Sequence, residues 1–292
     1  MKVSRQPLAK LAVIGGTGLY DIEGLEDIRE ISVDTPFGPP SDHLVIGELS
    51  NVKVAFLPRH GRGHRFMPAE IPSRANIYAL KSLGVEQVIA INSVGSFRED
   101  VKPGHLLIPD QLVDRTSQRQ NTFFGEGIVA HVPFAEPFCP NLRTLLFASA
   151  REAGAEAHPR GTYVVMEGPA FSTRAESQLH QAWGSDVIGM TALPEAKLAR
   201  EAEMCYAVVA LATDFDAWHE AKEAVSVEAV LSVMRRNIEL AKRLIKLAAA
   251  HLAAPRLCGC TSALAGAIMT DLELIPDKRK KELALIIGKY LS

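Results

Sequence analysis

The sequence is poor in several things that would fix a function class. Aromatic residues make up only 6% of its 292 residues, with two tryptophans, and there are only four cysteines. Neither charge dominates: the formal net charge is -2. With no basic stripe and no basic run interleaved with aromatics, nucleic acid is not an expected partner. No apolar stretch reaches the roughly 18 residues needed to cross a membrane. The N-terminal apolar patch, Leu11–Ile14, is too short for a signal segment and has no cleavage site, so a cytoplasmic protein is expected. Asparagine and glutamine are scarce, a lean towards a thermophile. Cys139, Cys205, Cys258 and Cys260 contain no C-x-x-C pair, so no metal site is expected.

What is present is ordinary for a globular enzyme: 47% hydrophobic and 23% charged residues. Short β-branched runs alternate with longer helical stretches and no internal repeat is seen. That pattern predicts an α/β fold, a mixed but largely parallel sheet, distorted and barrel-like, flanked by helices. Strands are expected at 11–14, 44–46, 52–57, 87–91, 106–108, 161–166, 187–188 and 207–212. Helices are expected at 75–83, 142–153, 173–183, 193–202, 227–253 and 277–291. The only plausible linker is 255–270, and it joins helix to helix. One domain is therefore expected over 1–292, with 254–292 a C-terminal helical extension.

The strand ends carry the chemistry. Thr213-Asp-Phe-Asp216 follows a buried run. Side chains at i and i+2 of an extended segment project together, so Asp214 and Asp216 should stand side by side. Two adjacent carboxylates resist joint ionisation, which would raise one pKa. A proton donor beside an N–H acceptor suits a departing 6-aminopurine. Gly15-Gly-Thr-Gly18, after the first strand, offers backbone N–H groups and the Thr17 hydroxyl to an anion. It lacks the third glycine of the dinucleotide fingerprint and the P-loop lysine. A bare tight turn remains the alternative. Arg59-His-Gly-Arg-Gly-His64 offers a guanidinium fork suited to phosphate, or else a solvated basic loop. Asn92-Ser93 and Thr191 add small donors at two more strand ends, although polar turns and N-caps are common there. Phe171 could stack on a base, but an aromatic at that spacing is more often core.

Together these segments resemble the 5′-methylthioadenosine phosphorylases of the trimeric purine nucleoside phosphorylase family. The matching stretches are Gly15-Gly-Thr-Gly-Leu19, Asp34-Thr-Pro-Phe-Gly38, Arg59-His-Gly61, Glu136-Pro-Phe-Cys139, Glu167-Gly-Pro169, Met190-Thr191, Pro194-Glu195 and Thr213-Asp-Phe-Asp216. The resemblance spans about residues 11–250. It implies phosphate-dependent release of adenine with 5-methylthioribose 1-phosphate as the other product. It implies phosphate binding by Thr17, Arg59, His60, Asn92, Ser93 and Thr191. Met190 would lie along the ribose, Phe171 beside sugar and base, Asp214 at purine N7 as the catalytic acid, and Asp216 at the 6-amino group. Val227 and Leu231 would wall the 5′-methylthio pocket, and His131 would reach a neighbouring subunit's site in a trimer or dimer of trimers. Where many relatives have Thr-Ala, this chain has Asn92-Ser93. No cofactor is implied beyond phosphate as co-substrate. The alternatives are a broader purine nucleoside phosphorylase, which Asp216 argues against, or a non-enzymatic nucleotide-binding module. Similarity to archaeal members implies a Cys139–Cys205 disulfide, leaving Cys258 and Cys260 to each other or to a partner chain.

Overall fold

The structure, a computed structural model, describes residues 7–16, 19, 21–219, 227–252 and 256–291. Thr17 lies outside the described residues, as do the side chains of Val227 and Leu231.

Among the described residues, eleven strands form one open mixed sheet: β1 (Leu11–Gly15), β2 (Glu26–Ile31), β3 (Leu44–Leu49), β4 (Val52–Pro58), β5 (Gln87–Ser96), β6 (Leu106–Leu107), β7 (Gln111–Arg115), β8 (Ala157–His158), β9 (Thr162–Met166), β10 (Val187–Gly189) and β11 (Cys205–Asp214). The main path runs β2-β3-β4-β1-β5-β10-β9-β7, and β11 joins β5 as a branch. β1, β4, β5 and β11 are mutually parallel through their ladders, so their C-terminal ends share one edge. β10 runs antiparallel to β5, Ile188 opposite Gly95, which returns the chain to that edge beside Asn92.

The central strands β1, β4, β5 and β11 read as near-continuous apolar runs because both faces of the sheet are covered there. Alternate residues serve opposite faces. Ala12, Ile14, Val88, Ala90, Tyr206 and Val208 join one core cluster; Leu11, Val13, Ile89, Cys205, Ala207 and Val209 join the other. Helices α1 (Ser73–Ser82) and α4 (Glu195–Glu201) cover the first face through Ile77, Leu80 and Leu198. Helices α2 (Pro140–Glu152) and α5 (Val227–Ala250) cover the second through Leu142, Leu146, Leu244 and Ile245. Burying each such side chain is worth about 1.5–3 kcal/mol. The β3–β4 hairpin turns on Ser50-Asn51, both at positive φ (53° and 61°), the geometry that matches strand twist. Helix α3 (Arg174–Ala182) starts on a capping box: Thr173 Oγ1 accepts from Glu176 N, and the Glu176 carboxylate accepts from Thr173 N at 2.8 Å.

Two local expectations change. The predicted terminal helix at 277–291 is broken into α6 (Asp277–Glu282), α7 (Ala284–Ile287) and a final 3-10 turn. The breaks turn Leu283, Ile286 and Ile287 into the core. The segment taken for a linker buries Leu264 and Ala267 in the first core cluster. It docks on the core because those two side chains are apolar. β2 and β7 were not foreseen, because one is charged and exposed and the other carries the charges of Asp114 and Arg115.

Candidate active site

The shared edge of β1, β4, β5 and β11 holds two groups of polar side chains. The first surrounds Arg59. Its N–H continues the β1–β4 pairing by donating to Gly15 O at 2.9 Å, and its side chain turns inward, 3% exposed. Nε donates to Glu195 Oε1 at 2.5 Å and Nη2 to Glu195 Oε2 at 3.1 Å. Nη2 also donates to Asn92 Oδ1 at 3.0 Å, and Nη1 to Ile91 O at 3.1 Å. Of the five guanidinium N–H groups, these contacts leave one on Nη1. Burial alone would depress the Arg59 pKa, but the Glu195 charge and hydrogen bonds outweigh it and hold it above its ordinary value.

Asn92, also buried, donates from Nδ2 to Tyr163 Oη at 3.2 Å, and the Thr191 side chain lies near the same phenol. Tyr206 Oη donates to Glu195 Oε2 at 2.9 Å. Burial pushes both phenols upward in pKa, Tyr206 helped further by the Glu195 charge, so both remain neutral. Gly189 is required here: a Cβ on it would sit 2.2 Å from Tyr163 Oη. The network therefore unites two sequence-predicted residues, Arg59 and Asn92, with Thr191 beside it. Ser93, next along β5, is exposed. His60 is half-buried, and its Nδ1–H donates to Phe66 O at 2.8 Å, which leaves Nε2 as the remaining ring nitrogen. Burial pushes the His60 pKa down, against the pull of the Phe66 carbonyl, and its ring stacks on His64 at 4.2 Å.

The second group is the Asp pair. Asp214 ends β11, as expected, but the pair is not joined by extended backbone. A register shift falls between Ala212 and Asp214, and Asp216 opens a 3-10 turn at φ 44°. A turn brings them together: Asp216 N donates to Asp214 Oδ1 at 2.8 Å. Thr213 Oγ1 donates to Asp214 Oδ2 at 2.7 Å, and Trp218 Nε1 anchors the turn on Ser96 O at 2.7 Å. Both acids lie against Gly95. Asp216 Oδ2 is buried with no hydrogen-bond partner among the described residues. A buried acceptor without a donor is costly, so this oxygen is suited to a ligand N–H.

Several contributors had no sequence signal. Arg119 sits in a polar loop without periodicity, yet its side chain is 3% exposed. It donates to Glu167 Oε1 at 2.8 Å, to Met190 O and Leu193 O, and to Met166 O and Glu167 O. One guanidinium thus ties the Glu167 loop to the Met190-Thr191 turn. Tyr163 and Tyr206 read from sequence only as strand residues, and Glu195 only as part of a matching dipeptide. Phe171, 85% exposed, and His131, exposed with its N–H on Ala267 O at 2.8 Å, stand outside both groups.

The disulfide expectation is not met: all four cysteines are free. Cys205 Sγ lies 3.3 Å from Cys258 Sγ, and the four sulfurs converge so that no single pair is selected.

Residues 10–250 match the sequence model of the Phosphorylase superfamily. The chain belongs to that superfamily. It is 56% identical over 282 residues to an S-methyl-5′-thioadenosine phosphorylase of Geobacter sulfurreducens, covering 96% of this chain and 99% of that one. It is 51% identical over 270 residues to one from Hyperthermus butylicus, covering 89% and 96%. A crystal structure of a methylthioadenosine phosphorylase from an antarctic soil metagenomic library superposes with a TM-score of 0.93 at 46% identity, covering 96% and 99%.

Proposed function

We propose that this protein is an S-methyl-5′-thioadenosine phosphorylase, a pentosyltransferase of purine and methionine salvage. The supporting observation is the Asp pair at the end of β11, with Asp216 Oδ2 buried and unpartnered among the described residues. That acceptor suits a 6-amino group and would oppose a 6-oxo group. Phosphate attacks C1′ of the nucleoside while the bond from C1′ to the purine nitrogen breaks. The bond's electron pair leaves with the purine, and Asp214 delivers a proton to N7. The sugar gains positive charge on the way, which the anionic phosphate stabilises.

In this reading phosphate sits over Thr17, His60, Ser93 and Thr191 and takes the remaining N–H of Arg59. Asn92 acts beneath it by orienting Arg59. Met190 and Phe171 flank ribose and base, Val227 and Leu231 line the methylthio end, and His131 completes the site of a neighbouring copy. The reaction runs on phosphate as co-substrate, with no metal or organic cofactor in the chemistry, in a cytoplasmic homo-oligomer.

The test is the spectrophotometric rate of purine release with and without phosphate, and kcat/KM for methylthioadenosine, adenosine and inosine. Phosphate-dependent adenine release with methylthioadenosine preferred is the expected result. Release without phosphate, or inosine cleaved as fast as adenosine, would overturn it.

A further inference from the structure

We propose that Cys139, Cys205, Cys258 and Cys260 bind one zinc ion in a closed tetrahedral thiolate site that clips the C-terminal segment to the sheet. The residues come from three places: the N-cap of α2, the first residue of β11, and a Cys-Gly-Cys stretch beyond α5. Sequence spacing hides the site, because only two of the four are near neighbours. The fold brings all four Sγ atoms within 4.8 Å of one another. A tetrahedron with Zn–S bonds of about 2.3 Å has sulfur–sulfur edges of about 3.8 Å. The sulfurs therefore stand close to the span one ion requires, with Cys205 and Cys258 at 3.3 Å. Thiolates bound to different metal atoms of a cluster stand further apart, so a single ion fits better. Four soft sulfur donors select zinc over hard cations.

The surroundings suit such a centre. Cys139, Cys205 and Cys260 are almost fully buried. Four thiolates around one divalent ion carry an excess of two negative charges, and two guanidiniums face them. Arg200 Nη1 lies 3.8 Å from Cys260 Sγ and Arg256 Nη1 3.9 Å from Cys205 Sγ. Such outer donors orient and stabilise metal-bound sulfur. The frame is also held independently. Cys139 N donates to Tyr206 O at 2.9 Å, and Arg256 Nη1 donates to Glu86 O and Glu203 O, each at 3.1 Å. Disulfide pairing would instead have to close a small strained ring within Cys258-Gly-Cys260 or draw sulfurs across the cluster.

With four protein ligands the site has no open position, so its role is structural. It is also remote from the chemistry: Cys205 begins β11 and Asp214 ends it, roughly 30 Å away at about 3.3 Å per residue. What it fixes is the segment beyond residue 250, where the superfamily match stops and whose Leu264, Ile275 and Leu283 fill the core. Binding releases four thiol protons to solvent and changes no oxidation state.

The test is metal analysis of the wild-type protein, produced with zinc in the medium and purified without chelator. The expected result is one zinc per chain, released as a mercurial titrates the thiols. Protein made in cobalt medium should show the thiolate-to-cobalt charge transfer and visible bands of a tetrahedral site. The double variant Cys258→Ser, Cys260→Ser should lose the zinc and melt lower, while keeping phosphorolysis at low temperature. Should that variant not fold, the wild-type stoichiometry and cobalt spectrum decide. Metal-free protein whose mass is four hydrogens short, meaning two disulfides, would overturn the proposal. So would four free thiols in a chain that takes up neither zinc nor cobalt.

Discussion

Arg59 and Glu195 are 136 positions apart in the sequence and meet in a buried two-point ion pair. Their side chains are 3% and 2% exposed. Arg59 leaves the end of β4 and Glu195 opens α4, so the pair locks a strand end to a helix start. Taking both charges out of water is costly, and the pair persists because Asn92, Tyr206 and the Ile91 carbonyl take up most of the hydrogen-bonding capacity it leaves, all but one Nη1 N–H of Arg59. The guanidinium is thereby held rigid beneath the proposed phosphate position.

Removing the Glu195 charge should expose that cost. Glu195→Gln leaves a buried guanidinium uncompensated and should destabilise the fold by about 3–5 kcal/mol. In the fraction that folds, KM for phosphate should rise more than KM for the nucleoside. Denaturant unfolding and the two KM values check this, and equal changes in both would argue against a positioning role.

The Asp pair should divide its labour. Asp214→Asn should lower kcat by about 10²–10⁴-fold, the usual range for a lost general acid. Asp216→Asn exchanges an acceptor for a donor at the proposed purine 6-position. It should reduce kcat/KM for methylthioadenosine and raise it for inosine. Measuring both substrates on both variants decides it; an inosine rate unmoved by Asp216→Asn would remove the selectivity argument.

Gly95 is the platform on which the pair rests. A Cβ there would lie 3.0 Å from Asp214 Oδ1, 3.0 Å from Asp216 Cβ and 3.3 Å from Ile188 Cγ2. Gly95→Ala should therefore push the acids out of register and cost up to about 100-fold in kcat/KM. Overpacking should lower stability by only about 1–3 kcal/mol. Full activity in this variant would show that the acids need no such placement.

Glu201 gives the fold a pH dependence of its own. Burial pushes its carboxyl up to about 7, against hydrogen bonds from Phe123 N and Thr122 Oγ1 at 2.7 Å each. The folded protein thus holds a proton that the unfolded chain releases near its ordinary value of 4.5. This stabilisation is complete below about pH 4.5 and is lost as pH rises through about 7, a change of about 3 kcal/mol. Thermal midpoints of wild type minus Glu201→Gln, followed across that window, should fall with rising pH. A constant difference would contradict the assignment.

Assembly can be measured directly. If His131 and exposed Phe171 serve a site shared between copies, the 31.7 kDa chain should scatter light as a trimer or a dimer of trimers. His131→Ala should raise KM for the nucleoside without disturbing the fold. A fully active monomer would refute a shared site.

The sequence by itself marked the central strands and most of the helices, though not β2, β7 or the breaks in the terminal helix, and it set the polar residues that follow those strands. Apolar runs at 11–14, 87–91 and 207–212 marked strands buried on both faces, and each ended in polar residues at the edge where an α/β sheet binds ligands. Those signals are local, written in periodicity and in turns that follow strands. The pairing of Arg59 with Glu195, the grip of Arg119 on two loops and the convergence of four cysteines left no local mark. Each joins residues from separate elements, and which side chains meet depends on strand order and on the branch at β5. Even the Asp pair shows the division. Sequence placed two carboxylates at a strand end, but the turn at Asp216 and the absence of a side chain at Gly95 set how they face one another, because packing from a neighbouring strand overrides the extended geometry that spacing implies.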